Sequence, residues 1–159
     1  MEKFTVYQLT PELFSRFGQI VKTPTKLPDI SNHVLDFWSK IALVPDAGDL
    51  EIGLCKVKDR PWKLKEMENH LETPEIIIPL DGDMILPVAQ FFYREPKPKA
   101  AETVLFKISP GICLILSIGT WHCLPFPINK ATAEFLVIFQ KGTAYNDLII
   151  ESLDKEIAF

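Results

Sequence analysis

Runs of cationic residues are missing from this 159-residue chain: 17 Lys and Arg are scattered among 21 Asp and Glu, for a net charge of −4. Without a basic tract, nucleic acid and anionic membrane are poor partners. Apolar runs are short, and none approaches the roughly 20 residues a membrane-crossing helix requires. Cysteine is scarce: Cys55, Cys113 and Cys123 show the paired spacing of neither a disulfide framework nor a zinc ribbon. Cys113 and Cys123 flank an apolar run and read as small buried residues. The opening MEKFTVYQLTPELF lacks the basic-then-apolar order of a secretory leader, so a cytoplasmic, reducing setting is expected. No internal repeat or low-complexity tract is found. Long helices are disfavoured as well, by 13 prolines spread along the chain.

What is present suits a folded chain. A 47% hydrophobic and 24% charged composition supports a sizeable core, and the length suits one domain over 1–159. One short helix is signalled: Thr10 as cap, Pro11 in the first turn, Glu12 at the positive end, and Gly18 as the stop. Strands are expected at 4–7, 18–21, 50–57, 75–80, 84–89, 104–108, 112–116 and 134–139, with a loop over 23–32. Periodicity leaves 33–43 open, and 63–69 reads as either a strand or a turn of helix. Asp81-Gly82-Asp83 and Ser109-Pro110-Gly111 read as hairpin turns. Short strands between frequent turns favour a sandwich or barrel with peripheral helices.

The chemistry-bearing residues are few. Of three histidines, His33 falls in a polar loop and reads as surface. Residues two apart on an extended segment share a face, so Glu68 and His70 would point together, with Glu75 opening the next strand beside them. In IGTWHCLPF the apolar run 112–116 leads to His122, which either caps a structural corner or brings an imidazole to the mouth of a cavity. Two carboxylates and two imidazoles form a ligand set for Mn, Fe, Ni or Zn, with open positions for a chelating substrate. Against this stands the ordinary role of such residues as solvated or structural groups. Trp121 reads as a core or rim aromatic packed behind His122.

Glu-x-His-x4-Glu, a Gly turn, then Pro-Gly and an apolar stretch ending in Trp-His resembles the two-motif arrangement of cupins. More specifically, LTPELFSRFGQIV, EMENHLETPEIIIPLDGDMILPVA, WHCLPF and EFLVIF resemble segments of the ureidoglycolate lyase family over most of the chain. The resemblance implies a mainly all-β, cupin-type jelly-roll barrel with a short N-terminal helix, usually a homodimer. It implies C–N cleavage of ureidoglycolate to glyoxylate and urea, assisted by a divalent transition metal, in the breakdown of allantoin and purines. Glu68, His70 and His122 would then be catalytic, and Glu68, His70, Glu75 and His122 the metal set. Ser117, Trp121 and Lys141 are the substrate-contact candidates. Three departures stand out: Ser117 replaces an imidazole four residues before the Trp, Glu75 stands where the first motif has Gln, and Phe139-Gln140-Lys141-Gly142 replaces Asp-Arg-Gly-Gly, leaving Lys141 as a substitute anion contact. A different hydroxy or keto acid, a sugar derivative, or ligand binding without turnover are the alternatives.

Overall fold

A computed structural model describes residues 4–22, 24–39, 41–44 and 48–159. In chain order the elements are β1 (Val6–Gln8), α1 (Pro11–Phe14), β2 (Gly18–Val21), β3 (Ile30–Ser31), β4 (Asp36–Phe37), β5 (Leu50–Lys58) and β6 (Lys63–Asn69). They continue with β7 (Glu75–Asp81), β8 (Met84–Ala89), β9 (Val104–Ile108), β10 (Cys113–Leu116), β11 (Trp121–His122), β12 (Phe126–Pro127), β13 (Thr132–Gln140), α2 (Thr143–Asn146) and β14 (Ile149–Ala158).

Two sheets face each other. One runs β1-β9-β8-β11-β6-β14, with β12 also paired to β8; the other runs β2-β10-β7-β13-β5. Strand alternation builds the core between them. Ile77, Leu114, Leu116 and Phe135 come from the five-stranded sheet and meet Met84, Leu86, Val88 and Phe106 from the other. The short helix seals one end by placing Phe14 and Phe17 edge-on against Phe106, at 5.4 and 5.9 Å between ring centres. Its Thr10 hydroxyl accepts from the Leu13 N–H, the cap expected from sequence. This mostly β architecture of two facing sheets with a short N-terminal helix agrees with the mainly all-β class read from sequence.

The turns behave differently from expectation. Gly82 does sit in a turn, at φ +71°, but β7 and β8 belong to opposite sheets, so Asp81-Gly82-Asp83 is no hairpin. The turn at Ser109-Pro110-Gly111 likewise carries the chain across, from β9 to β10. In a jelly roll the partner of a strand is set by distant packing, and turn chemistry alone does not reveal it. The apolar run also stops short of His122. β10 lies in the five-stranded sheet, and the chain crosses through Gly119 (φ +79°) before β11 joins the other sheet between β6 and β8.

Elsewhere, 63–69 settles as a strand, and the expected loop over 23–32 contains β3, paired with β4. Thr23, within that loop, lies outside the described residues, as does Lys40 in the segment left open. β14 was not expected; it pairs with β6 along much of its length. β5 forms the edge of its sheet. It turns Cys55 and Val57 inward and leaves Leu50, Ile52 and Leu54 more than half exposed on the outside.

Candidate active site

Both sheets supply the site. Glu68 is on β6, His122 is its cross-strand neighbour on β11, His70 follows β6 directly, and Glu75 opens β7 in the opposite sheet. The four therefore reach one cavity of about 220 Å³ from two walls. His70 Nε2 lies 3.0 Å from Glu75 Oε2, and His122 Nε2 lies 3.4 Å from the same oxygen. Glu68 Oε1 stands further off, 3.8 Å from His122 Nε2, and is the more exposed carboxylate.

Each imidazole is aimed by a backbone carbonyl. His122 Nδ1 donates to the Thr120 carbonyl at 2.9 Å, and His70 Nδ1 donates to the Asp147 carbonyl. A carbonyl only accepts, so Nδ1 carries the proton in both rings and Nε2 faces the cluster. Asp147 is a site residue that sequence reading missed. Its buried carboxylate accepts the N–H groups of Leu71 and Glu72 at 2.8 and 2.9 Å, pinning the loop after His70. Phe139 packs beside the His70 ring.

Burial opposes charge here, but the partners outweigh it. For His122, burial works downward while Glu75 and Glu68 pull the pKa up to about 9. For Glu75, burial works upward while the two imidazoles hold the carboxyl down to about 2. His70 is raised as well: burial lowers it, and Glu75 and the Asp147 carbonyl more than compensate. Without an ion, the cluster is a proton-sharing anion–cation group.

The cluster also fits a metal. His70, Glu75 and His122 each offer one ligand atom, all within 4.8 Å of one another and all buried. His122 Nε2 is a buried nitrogen without a hydrogen bond of ordinary geometry, which a divalent ion would satisfy. Two imidazoles and a carboxylate suit a first-row transition ion, leaving positions open for oxygen donors.

The substrate-contact candidates are not brought to this cavity. Trp121 alternates with His122 on β11 and so points to the opposite face, into a cluster with Met67, Leu153 and Ile157. Ser117 is exposed and borders a small cleft behind the histidines. Lys141 is exposed and is absent from the cavity lining, although its N–H donates to Asp49. The walls are instead built by inward positions of β13, Phe135, Val137 and Phe139, together with Leu124 and Leu148.

Comparison with known proteins gives a consistent picture. Residues 1–158 match the model of a family described as ureidoglycolate lyase. A ureidoglycolate lyase from Stutzerimonas stutzeri (strain A1501) is 26% identical over 152 residues, covering 92% of this chain and 88% of that one. Among solved structures, a variant of Bacillus subtilis oxalate decarboxylase aligns with a TM-score of 0.44 and 18% identity over 66% of this chain. The same enzyme at pH 4.6 aligns with a TM-score of 0.43 and 16% identity over 70%. This chain spans 24% of those decarboxylase chains.

Proposed function

We propose, because the chain belongs to the ureidoglycolate lyase family, that it is a metal-assisted carbon–nitrogen lyase cleaving ureidoglycolate to glyoxylate and urea. The observation that carries this reading is the convergence of His70, Glu75 and His122 within 4.8 Å in the wall of a cavity. Those three would hold a divalent ion such as Ni, Mn, Fe or Zn, and Glu68 completes the polar group at the cavity. The ion would supply Lewis acidity to the substrate's hydroxyl and carboxylate oxygens.

The residues divide the remaining work. Glu68, standing apart from the buried trio, takes the hydroxyl proton and returns it to the departing nitrogen. The carbonyls of Thr120 and Asp147 keep both Nε2 atoms turned to the ligand side. The largely apolar lining offers no side chain placed to activate a water against the ureido carbonyl apart from the cluster, which suits C–N cleavage by elimination. The test is release of urea and glyoxylate from ureidoglycolate by metal-stripped protein resupplied with Ni or Mn. Folded, metal-loaded protein that releases neither above background defeats the reading.

We also read the chain as a cytoplasmic homodimer. The exposed Leu50, Ile52 and Leu54 on the outer face of an edge strand support self-pairing about a twofold axis. Light scattering of the purified chain at the mass of one copy would remove the dimer.

A further inference from the structure

The cavity that holds the His–Glu cluster is poor in anything that could recognise a ureido group. Among the described residues lining it there is no lysine, arginine, hydroxyl or amide side chain. Beyond Glu68, His70, Glu75 and His122, the wall is hydrocarbon and thiol, with Phe135, Val137, Phe139, Leu124 and Leu148 the largest contributors. Two of the nearby backbone acceptors are also partly used. The carbonyls of Leu124 and Pro125, in the loop that closes this wall, already accept from the Arg60 guanidinium.

A terminal ureido amide carries two N–H donors, and burying them without partners is costly. The cluster suits a hydroxy acid, and the hydrocarbon lining around it suits an apolar group.

On the lyase reading above, we infer that the preferred substrate is an α-hydroxyglycine whose nitrogen bears an apolar acyl group, of branched-alkyl or phenyl size, in place of the carbamoyl group of ureidoglycolate. The reaction is the same elimination. The hydroxyl proton passes to Glu68, its bonding pair forms the new C=O, the C–N pair goes to nitrogen, and nitrogen takes up the proton. R–CO–NH–CH(OH)–COO⁻ becomes R–CO–NH2 and glyoxylate, with no water or oxidant consumed. The hydroxy-acid end remains at the cluster, and R lies against Val137, Phe139 and Leu148.

Two unreactive probes test the pocket independently of turnover. N-benzoylglycine and N-carbamoylglycine both lack the hydroxyl, and calorimetry in the presence of Mn(II) compares them. The expected result is at least tenfold tighter binding of N-benzoylglycine; equal or tighter binding of N-carbamoylglycine overturns the inference. Val137→Thr, which keeps the shape and inserts a hydroxyl, is expected to narrow that ratio several-fold, and an unchanged ratio counts against it. In turnover, glyoxylate release from N-benzoyl-α-hydroxyglycine is expected at tenfold or greater kcat/KM over ureidoglycolate. The reverse preference removes this inference and leaves the lyase standing. Release from neither removes both.

Discussion

His122 Nε2 lies 3.4 Å from Glu75 Oε2 with no hydrogen bond of ordinary geometry between them, while the same oxygen is 3.0 Å from His70 Nε2. One carboxylate oxygen thus serves two buried imidazoles reaching it from the opposite sheet. Protons can balance that arrangement, and so can a single cation.

Substituting Glu75→Gln separates the two roles. It keeps the shape and removes the charge that both imidazoles use. Metal affinity measured by calorimetry is expected to fall by more than the roughly 10- to 100-fold that loss of an outer-shell partner costs. Unchanged affinity would exclude Glu75 from the ligand set.

The pH dependence has a definite sign. In metal-free protein the His122 pKa is raised from 6.5 to about 9, so the pair's stabilisation is complete below 6.5 and fades as pH rises through 9. Glu75 is lowered from 4.5 to about 2, so its contribution holds above 4.5 and is lost as pH falls through 2. Denaturant midpoints of metal-free protein should therefore decline between pH 6.5 and 9. Over the same interval metal binding should strengthen, because the ion displaces protons from the rings. A midpoint flat across this range in wild type, matching that of His122→Gln, would contradict the pairing.

Asp147 offers a test of positioning. Asp147→Ala leaves the N–H groups of Leu71 and Glu72 without their acceptor, a loss of about 1–3 kcal/mol in stability. The Asp147 carbonyl that the His70 ring uses remains, but the loop after His70 is no longer pinned to it, and metal affinity is expected to drop by about 10-fold. Nitrogen NMR of His70 should show the Nδ1–H form giving way to a tautomer mixture. Retention of a single tautomer at full affinity would make Asp147 a stabilising residue only.

Gly18 tests the packing of the sheet edge. It adopts φ +156°, and a Cβ there would stand 1.8 Å from the Ile115 carbonyl oxygen on β10. Gly18→Ala is expected to destabilise by about 3 kcal/mol or more, within the range of severe core overpacking. A shift in the unfolding midpoint equivalent to less than about 1 kcal/mol would show that β2 moves aside at little cost.

Much of this was legible in the sequence, for reasons that also explain what was not. Glu68 and His70 lie two apart on an extended segment, and that local rule placed them together. Thr10 and Pro11 announced the helix through equally local chemistry, but it ends at Phe14, and Gly18, expected as its stop, opens β2 instead. Asp147 was invisible because it works through a backbone carbonyl and a carboxylate that meet the His70 loop some 76 residues away. β14 escaped because its buried Leu153 and Ile157 are four apart, across a register shift between Ser152 and Ile157 that breaks the two-residue alternation. The cavity's apolar character likewise required knowing which face of β13 turns inward.

The bond between His70 Nδ1 and the Asp147 carbonyl also sets an order of events during synthesis. A nascent chain presents His70 and Glu75 early, but the carbonyl that orients His70, and the strand β14 that closes over β6, emerge more than 70 residues later. A chain growing at about 5–20 residues per second must therefore extend past Asp147 before the corner that holds the cluster can lock. Premature termination between His122 and Asp147 would release a chain with all four cluster side chains and no fixed geometry in which to use them.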